Sequence, residues 1–379
     1  MTTTTLTWSP QQAGAIEKAL AWAQDKKATQ VFRLFGYAGT GKTTLAKEIA
    51  AKVDGSVLFA AFTGKASLVL QSKGCDGAST IHSLIYNTFI DKRTGEYRFV
   101  LNKDSGLAAA QLLIVDEVSM VGEDLARDLL EFGTKVLVLG DPAQLPPVKG
   151  TGVFINATPD VMLSEVHRQA QDSPIIQLSM DVREGRGLTP GQYGESLVVR
   201  RQEMTDDALG ELVLGADQVL CGLNKTRMGL NRRIRKLKGI DVIEPVVGDR
   251  LVCLRNDREK GTLNGSLWDV VDVAVKKVHG RQAAKMRVSS VDNPTPMEVS
   301  ITVPMEFFLG TEKGLDWKVL KNFDQFTYGY ALTVHKSQGS QWDNVAVFDE
   351  SAAFRADAAL HLYTAITRAA KAVTVVVYY

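Results

Sequence analysis

With 379 residues, 45% of them hydrophobic, the chain is long enough for two or three packed domains with real cores. A formal net charge of +1 neither establishes nor excludes nucleic acid, and favours a narrow phosphate track over a strongly basic face. Cys75, Cys221 and Cys253 are odd in number, far apart and lack Cys-x-x-Cys or Cys/His pairing, which argues against a disulfide framework or zinc site.

The polar start, Met1 followed by threonines at 2–5, has neither a basic nor an apolar run, and no segment approaches a membrane span. A soluble, unprocessed protein in a reducing cytoplasm is expected. Ser9 and Pro10 suit the N-cap and first position of a helix. Val31-Phe32-Arg33-Leu34-Phe35 is apolar and β-rich, glycines follow, and 44–50 has helical propensity, predicting strand, loop and helix.

In that loop, Gly36-Tyr37-Ala38-Gly39-Thr40-Gly41-Lys42-Thr43, the glycines let backbone N–H groups curl round phosphate oxygens while the helix N-terminus adds favourable partial charge. Lys42 reaches the β and γ phosphates, Thr43 ligates magnesium, and Thr44 completes the cradle; ATP and Mg2+ are the predicted ligands.

Two alternating stretches within 86–100 flank Lys92-Arg93-Thr94-Gly95 and predict a β-hairpin. Next, Leu112-Leu113-Ile114-Val115 suits a strand buried on both faces that delivers Asp116 and Glu117 at its carboxyl end, where open parallel sheets bind ligands. Asp116 is expected to hold magnesium through water and Glu117 to polarise the attacking water as general base. A third strand, 135–140, ends at Asp141-Pro142-Ala143-Gln144, and the Gln144 amide suits a sensor that donates to a γ-phosphate oxygen and accepts from water.

Further on, 220–224 reads as a strand entering a basic helix with Arg227, Arg232, Arg233, Arg235, Lys236 and Lys238, where Leu230, Ile234 and Leu237 share the apolar stripe. Its cations face DNA phosphates or, as in most such runs, solvent. From 248 the pattern changes to short β stretches at 251–254, 267–275, 285–291 and 297–303, with turns at Asn264-Gly265 and Asp292-Asn293-Pro294. These predict a small antiparallel barrel, in which Trp268, Lys276, Lys277 and Trp317 are conceivable contacts, although Trp is more often core.

GYAGTGKTT, AAFTGKAS, STIHSLI, LLIVDEVSM, GDPAQLPPV, LSEVHRQ, ALTVHKSQGSQWD and LYTAITRA follow the order of superfamily 1 helicase motifs. From Trp8 to Arg368 the chain resembles the RecD-like and phage Dda-like branch, superfamily 1B, whose members move 5′ to 3′ on single-stranded DNA. The resemblance implies an α/β fold of two RecA-like parallel-sheet motor domains in tandem, with a small β-hairpin insertion in the first and a small antiparallel β-barrel insertion in the second. The first domain is then 1–155, with the hairpin at 84–108; the second is 156–247 with 326–379, and 248–325 is the SH3-like barrel.

By the same resemblance Gln12 reads adenine, with Gln11 its neighbour, and Arg168 and Arg368 are the two arginines presented to the γ-phosphate. Gln338 and Gly339 fall on the nucleotide side of their motif. Phe62, Thr63, Lys65, Thr80 and His82 match the strand-gripping motifs of the first domain, and Thr333, His335, Lys336 and Trp342 those of the second. Both histidines also suit ordinary helix-start or loop positions, and Phe62, where relatives often have proline, is either a base platform or core. The hairpin matches a strand-separating pin, with Phe89, Tyr97 and Phe99 as fork aromatics; the alternative is a hairpin whose aromatics simply pack on the first domain.

An ATP-dependent DNA helicase is therefore expected. Its implied partners are single-stranded DNA, duplex forks and replication or recombination proteins. It is expected to be a monomer in the cytoplasm of a bacterium or phage-infected cell. A superfamily 1 RNA helicase, a P-loop ATPase that remodels protein and a nucleotide-gated binding module are the alternatives; Glu117 argues against the last.

Overall fold

Residues 7–90, 97–146, 152–165, 172–257, 259–293 and 295–379 are described by a computed structural model of the chain. They divide by their contacts into two units, one from Met1–Phe62, Val69–Phe89 and Tyr97–Gln177, the other from Thr63–Leu68 and Leu178–Tyr379.

The first unit is built on a parallel sheet of β1 (Val31–Gly36), β2 (Val57–Ala61), β3 (Ser79–Thr80), β6 (Leu112–Asp116), β7 (Lys135–Gly140) and β8 (Val161–Leu163), in the order β3-β2-β6-β7-β1-β8. Successive side chains in a strand point to opposite faces, so the apolar runs supply two cores at once. Phe32, Leu34, Leu112, Ile114, Leu137 and Leu139 pack with Ile16, Trp22, Leu45 and Ile49 on one face. Phe35, Leu113, Val115, Val136 and Val138 pack with Val118, Leu129 and Phe154 on the other. Each fully buried Leu, Ile or Val contributes about 1.5–3 kcal/mol. The sheet runs past residue 155: β8 is its edge strand, paired with β1 from Leu34↔Val161 to Gly36↔Leu163.

Helix α1 (Pro10–Gln24) starts at Ser9 and Pro10 as its sequence predicts, and the structure adds a reciprocal box in which Ser9 caps the Gln12 N–H and Gln12 caps the Ser9 N–H. The predicted hairpin strands pair as β4 (Tyr86–Ile90) with β5 (Tyr97–Leu101), and the turn at 91–96 lies outside the described residues.

In the second unit, β17 (Ala331–Thr333), β11 (Gln218–Cys221), β18 (Trp342–Phe348), β19 (Ala369–Val377) and β10 (Ser196–Arg200) run parallel in that order, and β9 (Gly191–Tyr193) closes one edge antiparallel. The basic helix lies at Asn224–Leu237, but its cations are not all alike. Arg235 is buried beside Leu230, Asn231 and Ile234, making two hydrogen bonds to Asp249 at 2.9 and 3.0 Å and donating to the Val242 and Glu244 carbonyls. Its place next to Ile234 puts it at the border of the apolar stripe, and the carboxylate of Asp249 draws it in rather than DNA or solvent. Leu237, expected on that stripe, is 43% exposed.

A five-stranded antiparallel sheet follows the order β15-β14-β13-β12-β16, from β12 (Arg250–Cys253), β13 (Leu267–Val278), β14 (Arg281–Ser290), β15 (Glu298–Pro304) and β16 (Phe326–Tyr328). β13 and β14 are longer than their sequence patterns suggested, because His279 and Gly280, with φ of 46° and 81°, make a two-residue turn between them. Trp268 is core, packed edge-on against Phe326, whereas Trp317 is 44% exposed. β16 extends the sheet beyond residue 325.

Candidate functional site

Steric necessity shapes the loop between β1 and α2 (Lys42–Lys52). A Cβ on Gly36 would stand 2.6 Å from the Thr40 hydroxyl and 2.8 Å from Leu163 Cβ, so only glycine fits. Gly39 and Gly41 turn through φ of 78° and 81°. Thr40 locks the turn by donating to the Tyr37 carbonyl at 2.8 Å. Gly41 gives α2 no side-chain cap, which leaves the first-turn N–H groups suited to an anion. Ala38 and Gly39 lie on the turn, and Thr44 is exposed in the first turn of α2.

Gln12 braces this loop from α1: its Nε2 donates to the Thr40 carbonyl at 3.1 Å, and its Oε1 accepts from the Ser9 N–H at 3.0 Å. Gln11 is turned to 162–165 instead, bonding to the Met162 carbonyl, Ser164 and the Glu165 N–H. Gln12 is thus the one of the pair that touches the loop.

The Lys42 ammonium donates to the Gly36 and Tyr37 carbonyls at 2.6 and 2.9 Å and lies 4.0 Å from Asp141 Oδ2. Carbonyls are weaker partners for an ammonium than phosphate oxygens. The Thr43 hydroxyl donates to Asp116 Oδ2 at 3.1 Å, and the Glu117 N–H to Asp116 Oδ1 at 2.8 Å. Burial, then the Glu117 carboxylate, raises the Asp116 carboxyl above its ordinary range, opposed by the Glu117 N–H, Lys42 and Thr43. A divalent cation relieves such a buried carboxylate, and a hydroxyl with a carboxylate is the hard-oxygen set magnesium prefers, so the residues fit that ion. Among the described residues no group of three or more His, Cys, Asp or Glu side chains is placed to hold a metal ion.

Glu117 itself has φ 54° and ψ 46°, a left-handed conformation that costs of order 1 kcal/mol in a non-glycine residue and recurs at active sites. Asp141, which sequence reasoning passed over, is 4% exposed at the end of β7 and accepts from the Ala143 N–H at 3.0 Å. Its place follows from strand order, which the sequence does not record: β7 lies between β6 and β1, so its carboxyl end opens beside Asp116 and Gly36. Gln144 sits half-buried on the same turn, its N–H donating to the Asp141 carbonyl at 3.1 Å.

Four aromatic side chains gather beyond this edge. His82 is the hub, 5.9 Å from Phe62, 5.9 Å from Tyr86 and 6.0 Å from Phe99 between ring centroids. Phe99 remains 55% exposed, and Phe89 is 56% exposed. Phe62 is therefore a half-buried member of a partly open aromatic surface, and Tyr97 opens β5. Thr80 caps the helix Ile81–Ile85 by accepting from the Ser83 N–H at 3.0 Å.

Within the second unit, Arg368 is buried and donates to the Thr364 carbonyl at 3.1 Å and the Ser340 carbonyl at 3.2 Å. Thr333 ends β17 and holds the N-cap position of the short helix Val334–Ser337 without a side-chain capping bond; that helix carries half-buried His335 and exposed Lys336, Gln338 is buried, and Gly339 follows with φ 73°. Arg168 lies outside the described residues. Lys65 departs from expectation. Its ammonium is 3.3 Å from Asp292 Oδ1 and 4.4 Å from the centroid of the Trp342 ring, and burial lowers its pKa. The Asp292 carboxylate is thus the anion beside Lys65, and the Trp342 ring covers the ammonium from another side.

The sequence matches the family described as AAA domain over residues 7–201 and the UvrD-like helicase C-terminal domain over 328–376. It is 31% identical over 362 residues to the ATP-dependent RecD2 DNA helicase of Deinococcus radiodurans, covering 89% of this chain and 45% of that protein. To the ATP-dependent DNA helicase Pif1 of Bdellovibrio bacteriovorus it is 26% identical over 385 residues, covering 89% and 81%. The chain thus spans less than half of the RecD2 relative and about four-fifths of the Pif1 relative. The crystal structure of Bacteroides Pif1 bound to ssDNA superposes with a TM-score of 0.56 at 18% identity, covering 97% of this chain and 92% of that one, which shows the fold. No helix among the described residues is long and apolar enough to cross a membrane.

Proposed function

The chain belongs to the AAA domain family, and from that premise we propose that it is an ATP-dependent DNA helicase that moves 5′ to 3′ along single-stranded DNA and opens forks. The observation that carries this reading is the glycine cradle with Lys42, Thr43 and Asp116 gathered at the carboxyl edge of one parallel sheet. The likeness to RecD2 and Pif1 supports its extension to DNA.

ATP is the substrate. Lys42 exchanges its carbonyl partners for the β and γ phosphates, and Gln12 keeps Thr40 and the loop in register. Thr43 and Asp116 would hold magnesium, which supplies charge neutralisation on the phosphate oxygens. Glu117 accepts a proton from water as that water attacks the γ-phosphorus and the bond to the β–γ bridging oxygen breaks, releasing ADP and phosphate. Gln144 orients the water and senses the γ-phosphate, while Arg168 and Arg368 neutralise charge developing in the transition state. Gln338 and Gly339 complete the nucleotide contacts.

Strand contact falls to the aromatic surface of Phe62 and His82 with Thr63 and Thr80, and to Thr333, His335 and Lys336. The β4–β5 hairpin acts as the separating pin, with Phe89 and Phe99 as the exposed fork aromatics. The five-stranded sheet is the small barrel insertion of the second motor domain. Differential affinity for the strand between ATP-bound and released states converts turnover into directed stepping. ATP hydrolysis measured with and without oligothymidylate tests this: stimulation of about tenfold or more is expected, and a rate indifferent to DNA overturns the motor. Stimulation by RNA alone favours the RNA helicase.

A further inference from the structure

A buried histidine in the second unit has no structural reason to be histidine. His361, on the helix Ala358–Ile366, is 1% exposed, and neither Nδ1 nor Nε2 has a hydrogen-bond partner. Its ring lies flat on Phe354, with centroids 4.0 Å apart and planes 15° apart. Both rings also touch His335, at 6.2 and 5.5 Å. Burial, and next the neighbouring His335, lowers His361 to about 4, and burial lowers His335 as well, so the stack is predominantly uncharged near pH 7. A buried polar group without partners costs about 1–3 kcal/mol, which a phenyl ring of similar size avoids. Such an orphan calls for an explanation, and a second arrangement in which the nitrogens gain partners provides one.

The neighbouring backbone points the same way. Arg355, directly after Phe354, has φ 50° and ψ −111°, a conformation that persists in an L residue only where its surroundings over-determine it and that recurs in switch regions. The Ala358–Ile366 helix is tied to segment 333–340 at both ends: His361 meets His335 near its start, and Arg368, just past its last turn, donates to the Ser340 carbonyl at 3.2 Å. Arg368 also donates to the Thr364 carbonyl of that helix at 3.1 Å, so its guanidinium is tied to the element that carries His361.

We propose that the His335–Phe354–His361 stack transmits strand binding on segment 333–340 to Arg368, with His361 as a positioning residue. The inference rests on the motor reading. When a DNA backbone engages 333–340, His335 shifts, the His361 nitrogens find partners on the moving segment, and the helix carries Arg368 off the Ser340 carbonyl so that its guanidinium can meet phosphate. Hydrogen bonds made in only one of two arrangements are the differential interaction that a ligand needs to bias them.

The test compares His361→Phe, which keeps the flat stack, with His361→Gln, which keeps a donor and an acceptor. Thermal midpoint, oligothymidylate affinity by anisotropy, and ATP hydrolysis with and without that oligonucleotide are read for both. His361→Phe is expected to melt at or above the wild-type temperature, bind DNA within about twofold and keep its DNA-free rate, yet lose about tenfold of DNA stimulation; His361→Gln keeps most of the stimulation. Stimulation of His361→Phe within twofold of wild type overturns the proposal, as does an equal loss in both variants. Should His361→Phe not fold, Phe354→Leu is read in its place by the same criterion. An unaltered protein that DNA does not stimulate overturns the motor itself, whereas a stimulated wild type with an equally stimulated variant overturns the coupling alone.

Discussion

The two parallel sheets hold their functional side chains by different means. At the edge of the first, the backbone decides: Gly36 has no room for a Cβ, Gly39 and Gly41 need positive φ, and Lys42 bonds to the carbonyls of its own loop. In the second, side chains decide: Arg235 is clamped by Asp249, and His361 is stacked on Phe354 beside His335. A site fixed by local backbone geometry is rigid and suits a ligand that is always the same, a triphosphate. A site fixed by tertiary contacts can exchange partners, which suits response to a strand.

The largest expected effect probes the first sheet. Glu117→Gln removes the proton acceptor and leaves the Thr43–Asp116 bond, so turnover falls about 10³-fold while nucleotide affinity is retained, as read by phosphate release and fluorescent-nucleotide titration. Turnover within tenfold of wild type removes Glu117 as the base. The second effect probes the side-chain control of the other unit. Arg235→Leu strands Asp249, which is 0% exposed, and is expected to cost about 3–5 kcal/mol in chemical denaturation, with most of it regained on adding Asp249→Leu. A loss below about 1 kcal/mol contradicts the clamp.

Gly36→Ala separates backbone control from mere helix propensity. Its new methyl meets Thr40 and Leu163 inside 3 Å, so a loss of about 2 kcal/mol and a raised KM for ATP are expected. Gly14→Ala meets nothing within 4 Å in the interior of a helix and is expected to gain up to about 1 kcal/mol. Equal melting shifts in the two variants would show that the cradle is not sterically set.

The last effect, comparable in size to that of Gly36→Ala, is a pH dependence. His361 falls from 6.5 to about 4 on folding, so between those values the unfolded chain binds more protons than the folded one. The stability from keeping it neutral is complete above 6.5 and is lost as pH falls towards 4, amounting to about 2 kcal/mol between pH 7 and pH 5. His335 shares the stack and Asp357 opposes the shift of His335. His361→Phe should flatten the thermal midpoint over that range; an unchanged slope assigns the dependence to other groups.

The same contrast explains what could be read from the residues. The Lys42 loop, the Asp116 strand and the Ser9-Pro10 helix start were legible because glycine, a continuous apolar run and capping act within a few residues. Asp141 and the edge strand β8 were not, since their places follow from strand order, which no local pattern records. Lys65 and Arg235 look like phosphate-gripping cations in sequence, yet each is drawn to a carboxylate distant in the chain, Asp292 and Asp249. The His279-Gly280 turn was a local signal that went unread.

Unwinding of forked duplexes that carry only a 5′ or only a 3′ tail, with ATP and magnesium, tests the motor most directly. Strand separation of the 5′-tailed fork alone, abolished by Glu117→Gln, is the predicted result. Separation that needs a 3′ tail contradicts the direction of travel, and separation of neither fork contradicts the helicase.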